Sequence, residues 1–229
     1  MMALIGDRGG TIIRGSMAPV TIGITGGSAS GKSTLSRLIV DAFADRSCAI
    51  LNQDQYFRDW SNRMGDEQRD RLRTANRPDS VLWPHLVDAV DAIRGGGAAT
   101  FPVPGTRGAA RRLDPTTVRA NDLLIVEGLF ALWDEELRAR YDLTVFVDSP
   151  DDERLLRRIN RDISERGSDL VGATAWYRHD VMNSFPRFTN PLRWAADLIV
   201  PNPLGESGAL NPRAVTGLVA AIQRLLDAR

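Results

Sequence analysis

Eight residues constrain this chain more than any others: Gly26-Gly27-Ser28-Ala29-Ser30-Gly31-Lys32-Ser33, which fit the pattern G-x-x-x-x-G-K-[ST]. The pattern has structural meaning only where it joins a strand to a helix. Both neighbours are legible. Val20-Thr21-Ile22-Gly23-Ile24 is a short β-branched run that reads as a buried strand. From Lys32 to about Arg46, Leu35, Leu38, Ile39, Ala42 and Phe43 recur at helical spacing. Glycines in such a loop let backbone N–H groups turn inward around an anion, and the helix end adds partial positive charge. Lys32 then reaches the outer phosphates of a nucleotide, and the Ser33 hydroxyl can hold Mg²⁺. The bland alternative is a Gly/Ser-rich turn that matches by accident. Against it, only one of the 29 basic residues is a lysine, and that residue is Lys32. A lone lysine falls on that slot about once in 29 by chance, and a broad guanidinium does not replace a compact ammonium in a tight loop. The loop indicates nucleotide binding but no particular reaction, because switches and motors share it.

Four more short apolar runs read as strands, at 48–51, 122–127, 143–148 and 198–200. Helical patterns alternate with them. Pro84 opens one that carries Leu86, Val87, Val90 and Ile93 and is stopped by Gly95-Gly96-Gly97. Ser149-Pro150-Asp151-Asp152 starts another, with Ser149 at the cap and acids near the positive dipole end. Asn211-Pro212 introduces a last one, with Val215, Leu218, Val219, Ile222, Leu225 and Leu226. The expected fold is therefore α/β: a P-loop core of five parallel strands with helices on both faces. Ligands in such sheets sit beyond the carboxyl ends of the strands. Residues 1–18 read as a loose leader, with Met17 an alternative start, and 19–229 as a single domain. Residues 54–118 form a substrate-side excursion: 54–80 is charged and aperiodic, and 100–118 carries three prolines.

Formal net charge is zero, so no global field attracts nucleic acid or an acidic membrane, and anion affinity must be local. Cys48 stands alone in an apolar run and reads as a buried structural thiol. No apolar stretch suits a membrane span or a signal peptide, which makes a cytoplasmic location the default. The expected partner is a small molecule, with homo-oligomerisation left open.

Three further features could do chemistry. Asp54 follows the second strand closely and could take a proton from an acceptor hydroxyl, or simply cap the next segment. Glu127 ends a strand and could orient Mg²⁺, or bond a nearby loop. Arg154, Arg157, Arg158 and Arg161 share one helix face, followed by Arg166 and Gly167 at the helix end. Leu155, Leu156, Ile159 and Ile163 are expected to hold that helix down on another side. The arginines form either a solvated stripe or a lid, about 151–175, that closes over a transferring phosphoryl group. His85 and His179 lack metal-ligand spacing, and most of the five tryptophans should be core.

Taken together, these segments resemble the uridine kinase and phosphoribulokinase-like family of P-loop kinases, on its uridine kinase side. The resemblance rests on the loop through Thr34, Gln53-Asp54-x-Tyr56-Phe57, Pro78-Asp79, Val126-Glu127-Gly128 and Phe146-Val147-Asp148. It continues through Arg157-Arg158-x-x-Arg161-Asp162-Ile163-Ser164-Glu165-Arg166-Gly167 and Ala196-Asp197-Leu198-Ile199-Val200-Pro201. It implies transfer of phosphate from ATP, with Mg²⁺, to the hydroxyl of a small metabolite. It further implies that Asp54 is the base for a 5′-hydroxyl and that Tyr56, Phe57 and Asn76 lie on the substrate side. Arg158, Arg161 and Arg166 would serve substrate and phosphates from the lid, and Asp197 would lie near the ATP base. The base-reading parts depart from the family pattern. Asn76 stands where an aspartate is usual, Pro102-Val-Pro-Gly-Thr-Arg107 replaces an aromatic-and-histidine stretch, and Ser168 and Trp176 replace an arginine and a glutamine. Nicotinamide riboside or another small alcohol is the alternative acceptor. A nucleotide-hydrolysing regulator is the alternative class, though the chain has no Asn-Lys-x-Asp guanine-reading motif.

Overall fold

A computed structural model describes residues 18–59, 76–202 and 210–229. Five parallel strands form the sheet: β1 (Val20–Gly26), β2 (Cys48–Asn52), β5 (Leu123–Glu127), β6 (Leu143–Asp148) and β7 (Leu198–Pro201). Their spatial order is β2-β5-β1-β6-β7, which places β1 at the centre. β5 is buried along its whole length, and its alternate residues feed two different cores. On one face, Leu123 and Ile125 meet helix α1 (Lys32–Ala42) and the C-terminal helix α5 (Pro212–Asp227) through Leu35, Ile39, Leu218 and Ile222. On the other, Leu124 and Val126 meet α2 (Trp83–Arg94) through Leu86, Val90 and Ile93. The expected α/β sheet with helices on both faces is what forms.

Register brings the functional ends together. Ile24 and Asn52 both pair at the level of Glu127, Gly26 pairs with Val147, and Asp148 pairs with Pro201. All five carboxyl ends therefore open on one edge, with the phosphate loop leaving from the middle.

Several local expectations are corrected. The first helix stops at Ala42 rather than near Arg46, and Phe43 closes it. Across 99–118 lies an antiparallel hairpin, β3 (Ala99–Phe101) with β4 (Thr116–Val118), which the prolines between its strands obscured. Pro150, not Ser149, caps α3 (Asp151–Ser164). Cys48 is half-buried, its thiol donating to Phe43 O at 3.6 Å. Residues 1–17, the 60–75 part of the charged segment, and Trp60 lie outside the described residues. Among the described residues, no helix is long and apolar enough to cross a membrane.

Candidate active site

The loop after β1 is built from close approaches. Gly26 has φ +151° and Gly31 has φ +98°, values that side chains resist. A Cβ on Gly31 would stand 2.6 Å from Asn202 Nδ2, and one on Gly27 would stand 2.3 Å from an Arg154 guanidinium nitrogen. Lys32 Nζ donates to Gly26 O at 3.0 Å and Gly27 O at 2.8 Å, so it lies back along the loop. Burial lowers its pKa to about 8, against the raising influence of Glu127 and Asp54. Ser28, Ala29, Gly31, Lys32, Ser33 and Thr34 line a cleft of about 970 Å³. Gly26, Gly27 and the fully buried Ser30 form the backbone behind it.

At the ends of β2 and β5 sits a compact polar group. Glu127, buried, accepts from Ser33 Oγ at 2.9 Å and from Asn52 Nδ2 at 3.0 Å, both on Oε1. The same Asn52 accepts the Asp54 N–H at 2.7 Å and caps the single turn Gln53–Tyr56. Asn52 is therefore the cap, and the reading of Asp54 as a cap is set aside. Asp54 opens onto the cleft, and no hydrogen bond among the described residues engages its carboxylate. The cleft walls displace water and push its pKa up, with Glu127 adding to the effect and Lys32 opposing it. Ser33 and Glu127 offer the hard oxygens that suit Mg²⁺. That ion takes one or two protein ligands and completes its shell with phosphates and water. Among the described residues there is no cluster of three or more His, Cys, Asp or Glu side chains to cage a metal alone.

Helix α3 departs in part from the expected orientation, with Leu155 and Ile159 only half-buried. Its buried side is polar, made of Arg154, Arg158 and Asp162, while Leu156 and Ile163 are 58% and 40% exposed. The arginine face seats on the phosphate loop: Arg158 donates to Ser28 Oγ at 2.6 Å, and Arg161 reaches the same oxygen at 3.5 Å. Asp162 organises the set, accepting from Arg158 Nε at 2.7 Å and pairing with Arg166 at 3.1 Å. Arg157 pairs back to Glu153 at 2.6 Å. Arg154 is 2% exposed, lies 3.7 Å from the centre of the Phe185 ring, and fills the space behind Gly27. A solvated stripe would have left this face outward; instead Arg157, Arg158, Arg161 and Arg166 line the cleft.

The far wall of the cleft holds Phe57, Asn76, Arg107, Arg111 and Trp176. Arg107 rises from a one-turn helix capped by Thr106, and its N–H donates to Phe57 O at 3.0 Å. Its guanidinium lies 5.5 Å from the centre of the Phe57 ring. Trp176 ends α4 (Leu170–Trp176) and faces this wall rather than the core. Trp194 is also not core, being 84% exposed.

Two expected site residues are not brought to the cleft. Tyr56 is wholly buried against Leu86 and Val126, where burial pushes its pKa up to about 12. Asp197 sits at the opposite edge of the sheet, accepting from Thr144 N at 2.8 Å and Thr144 Oγ1 at 2.6 Å. It fastens the start of β7 to the start of β6. The residue that β7 does bring to the loop is Asn202, one position past the strand. Its amide donates to Ser30 O at 2.8 Å, and its N–H donates to Asp148 O at 2.6 Å. Sequence offered only a weak sign of it, a polar residue just after a strand end.

With this geometry in place, likeness to known proteins is informative. Residues 21–204 match the profile of the Phosphoribulokinase / Uridine kinase family. The uridine kinase of Clostridium novyi is 35% identical over 92% of this chain and 98% of its own length. Among solved structures, the phosphoribulokinase of Rhodobacter spheroides superposes with TM-score 0.58 at 16% identity, covering 82% of this chain and 71% of its own. The D-glycerate 3-kinase of Cryptococcus neoformans gives TM-score 0.58 at 12% identity, covering 84% and 88%. The two structures share the fold, and the profile and the sequence identity carry the kinship: the chain belongs to the phosphoribulokinase / uridine kinase family and is an ATP-dependent small-molecule kinase.

Proposed function

We propose that the chain transfers the terminal phosphoryl group of ATP to the 5′-hydroxyl of a nucleoside of the uridine type. The observation that carries this reading is the convergence of Asp54 with Lys32, Ser33 and Glu127 on one cleft, alongside three lid arginines. Lys32 moves from the loop carbonyls to the outer phosphates, a short swing for an ammonium that already lies along the loop. Asp54 accepts the proton of the attacking hydroxyl, and its raised pKa makes it a stronger base than an ordinary carboxylate. Arg158, Arg161 and Arg166 neutralise charge on the transferring group and exclude water from it. Mg²⁺ held by Ser33 and Glu127 would neutralise charge on the phosphate oxygens.

The acceptor class follows the relatives' names, and the acceptor wall refines it. Phe57 and Trp176 offer flat faces, and Asn76 offers hydrogen bonds. Arg107 and Arg111 disfavour a cationic acceptor such as nicotinamide riboside. A screen of nucleosides and sugars for acceptor-dependent ADP release tests the proposal. ADP formation that is indifferent to every alcohol would refute it in favour of a nucleotide-hydrolysing protein.

A further inference from the structure

We infer that Asn52 is a positioning residue of the transfer reaction, whose one amide fixes the turn carrying Asp54 relative to the Glu127 carboxylate. This rests on the kinase reading above. Parallel pairing of β2 with β5 puts Asn52 directly across from Glu127 at the last step of both strands. From there the side chain makes two bonds in opposite senses, giving Nδ2–H to Glu127 Oε1 at 3.0 Å and taking Asp54 N–H on Oδ1 at 2.7 Å. Amide nitrogen and oxygen are held in one rigid plane, so the two partners cannot drift apart independently.

The bond to Glu127 also sets how that carboxylate presents itself. Ser33 and Asn52 both reach Oε1, leaving the other oxygen without a protein donor among the described residues. That arrangement orients the group that would face Mg²⁺, as hydrogen bonds to metal-ligating carboxylates do elsewhere. The residue type matters. A carboxylate at 52 could still accept the Asp54 N–H but would repel Glu127, and a serine hydroxyl could still cap but is too short to span to Glu127.

The competing reading is that Asn52 only caps the Gln53–Tyr56 turn, a common use of asparagine. Asn52→Ser separates the two, because serine caps about as well as asparagine. If Asn52 positions the site, Asn52→Ser keeps its melting temperature and its KM for ATP, while kcat falls about 10–100-fold. Mn²⁺ affinity measured by electron paramagnetic resonance with ADP present should fall by about tenfold as well. Wild-type kcat and wild-type Mn²⁺ affinity in Asn52→Ser would leave only the cap and overturn the inference. Should Asn52→Ser fail to fold, Asn52→Asp retains a cap and decides by kcat alone: a fall supports positioning, and an unchanged value contradicts it. If no alcohol stimulates ADP release in the wild-type chain, the kinase reading fails instead, and the Mn²⁺ measurement still decides for Asn52.

Discussion

Arg158 donates to the Ser28 hydroxyl at 2.6 Å, joining helix α3 to the phosphate loop across 130 residues of sequence. Its Nε simultaneously donates to Asp162 at 2.7 Å, and both side chains of that pair are almost fully buried. Replacing the carboxylate leaves a buried guanidinium without its counter-charge. We expect Asp162→Asn to lose about 3 kcal/mol in urea denaturation, the low end for a broken buried pair. Turnover should fall with it, because Arg166 loses the same anchor. A variant of unchanged stability and turnover would show that Ser28 alone positions these arginines.

Lys32 provides two tests. Lys32→Ala and Lys32→Arg should both abolish transfer, since the arginine fork does not fit the turn whose carbonyls hold the ammonium at 2.8 and 3.0 Å. The second test uses its pKa of about 8, lowered by burial. Bound phosphates favour the charged form, so ADP binding near pH 8 to 9 should take up a proton that Lys32→Ala does not. Near pH 6 the lysine is already charged and contributes no uptake. Calorimetry in buffers of different ionisation enthalpy reads this directly, and equal proton exchange in both proteins at pH 8 would contradict it.

Strand runs and the loop were legible because periodicity and glycine spacing report backbone demands that few other sequences meet. All five parallel strands stand where the β-branched runs put them. Side-chain direction was less legible. Helix α3 presents both an apolar and an arginine side, and ordinary burial logic turns Leu156 and Ile163 inward. Three groups override that preference: the Ser28 hydroxyl, the Asp162 carboxylate and the Phe185 ring give the arginines partners. Asp197 misled for another reason. Its place near the ATP base came only from the family resemblance, whereas a residue just before the 198–200 run stands at the start of that strand, where the pairing with Thr144 holds it. Asn202 and Asn52 were overlooked because a single neutral amide has no pattern to match.

On the proposed reading, the acceptor wall sets specificity. Asn76 is buried at the cleft and can bond a ribose hydroxyl, but without the charge that strengthens such bonds. We expect uridine and cytidine to show high KM and little mutual preference, because the segment 102–107 carries Arg107 where an aromatic face and an imidazole are expected to read the base. Asn76→Asp should improve kcat/KM for a ribonucleoside more than for its 2′-deoxy analogue. Equal gains for both would place the ribose elsewhere.

The most direct measurement is acceptor-dependent ADP release by the wild-type chain beside Asp54→Asn, with melting temperatures taken in parallel. Desolvation by the cleft walls and the nearby Glu127 charge hold the Asp54 pKa above its ordinary 3.8, although the side chain is open to solvent. Solvent screens this exposed carboxylate, so its charge costs only a little stability at neutral pH, a cost that fades as pH falls through the folded-state pKa. Asp54→Asn removes that cost and should melt no lower than wild type at pH 7. Release of ADP should rise on adding the alcohol in wild type and fall about 10²–10⁴-fold in Asp54→Asn, with ATP affinity retained. Wild-type turnover in Asp54→Asn, or ADP release that ignores the alcohol, would contradict the assignment of Asp54 as the base of a kinase.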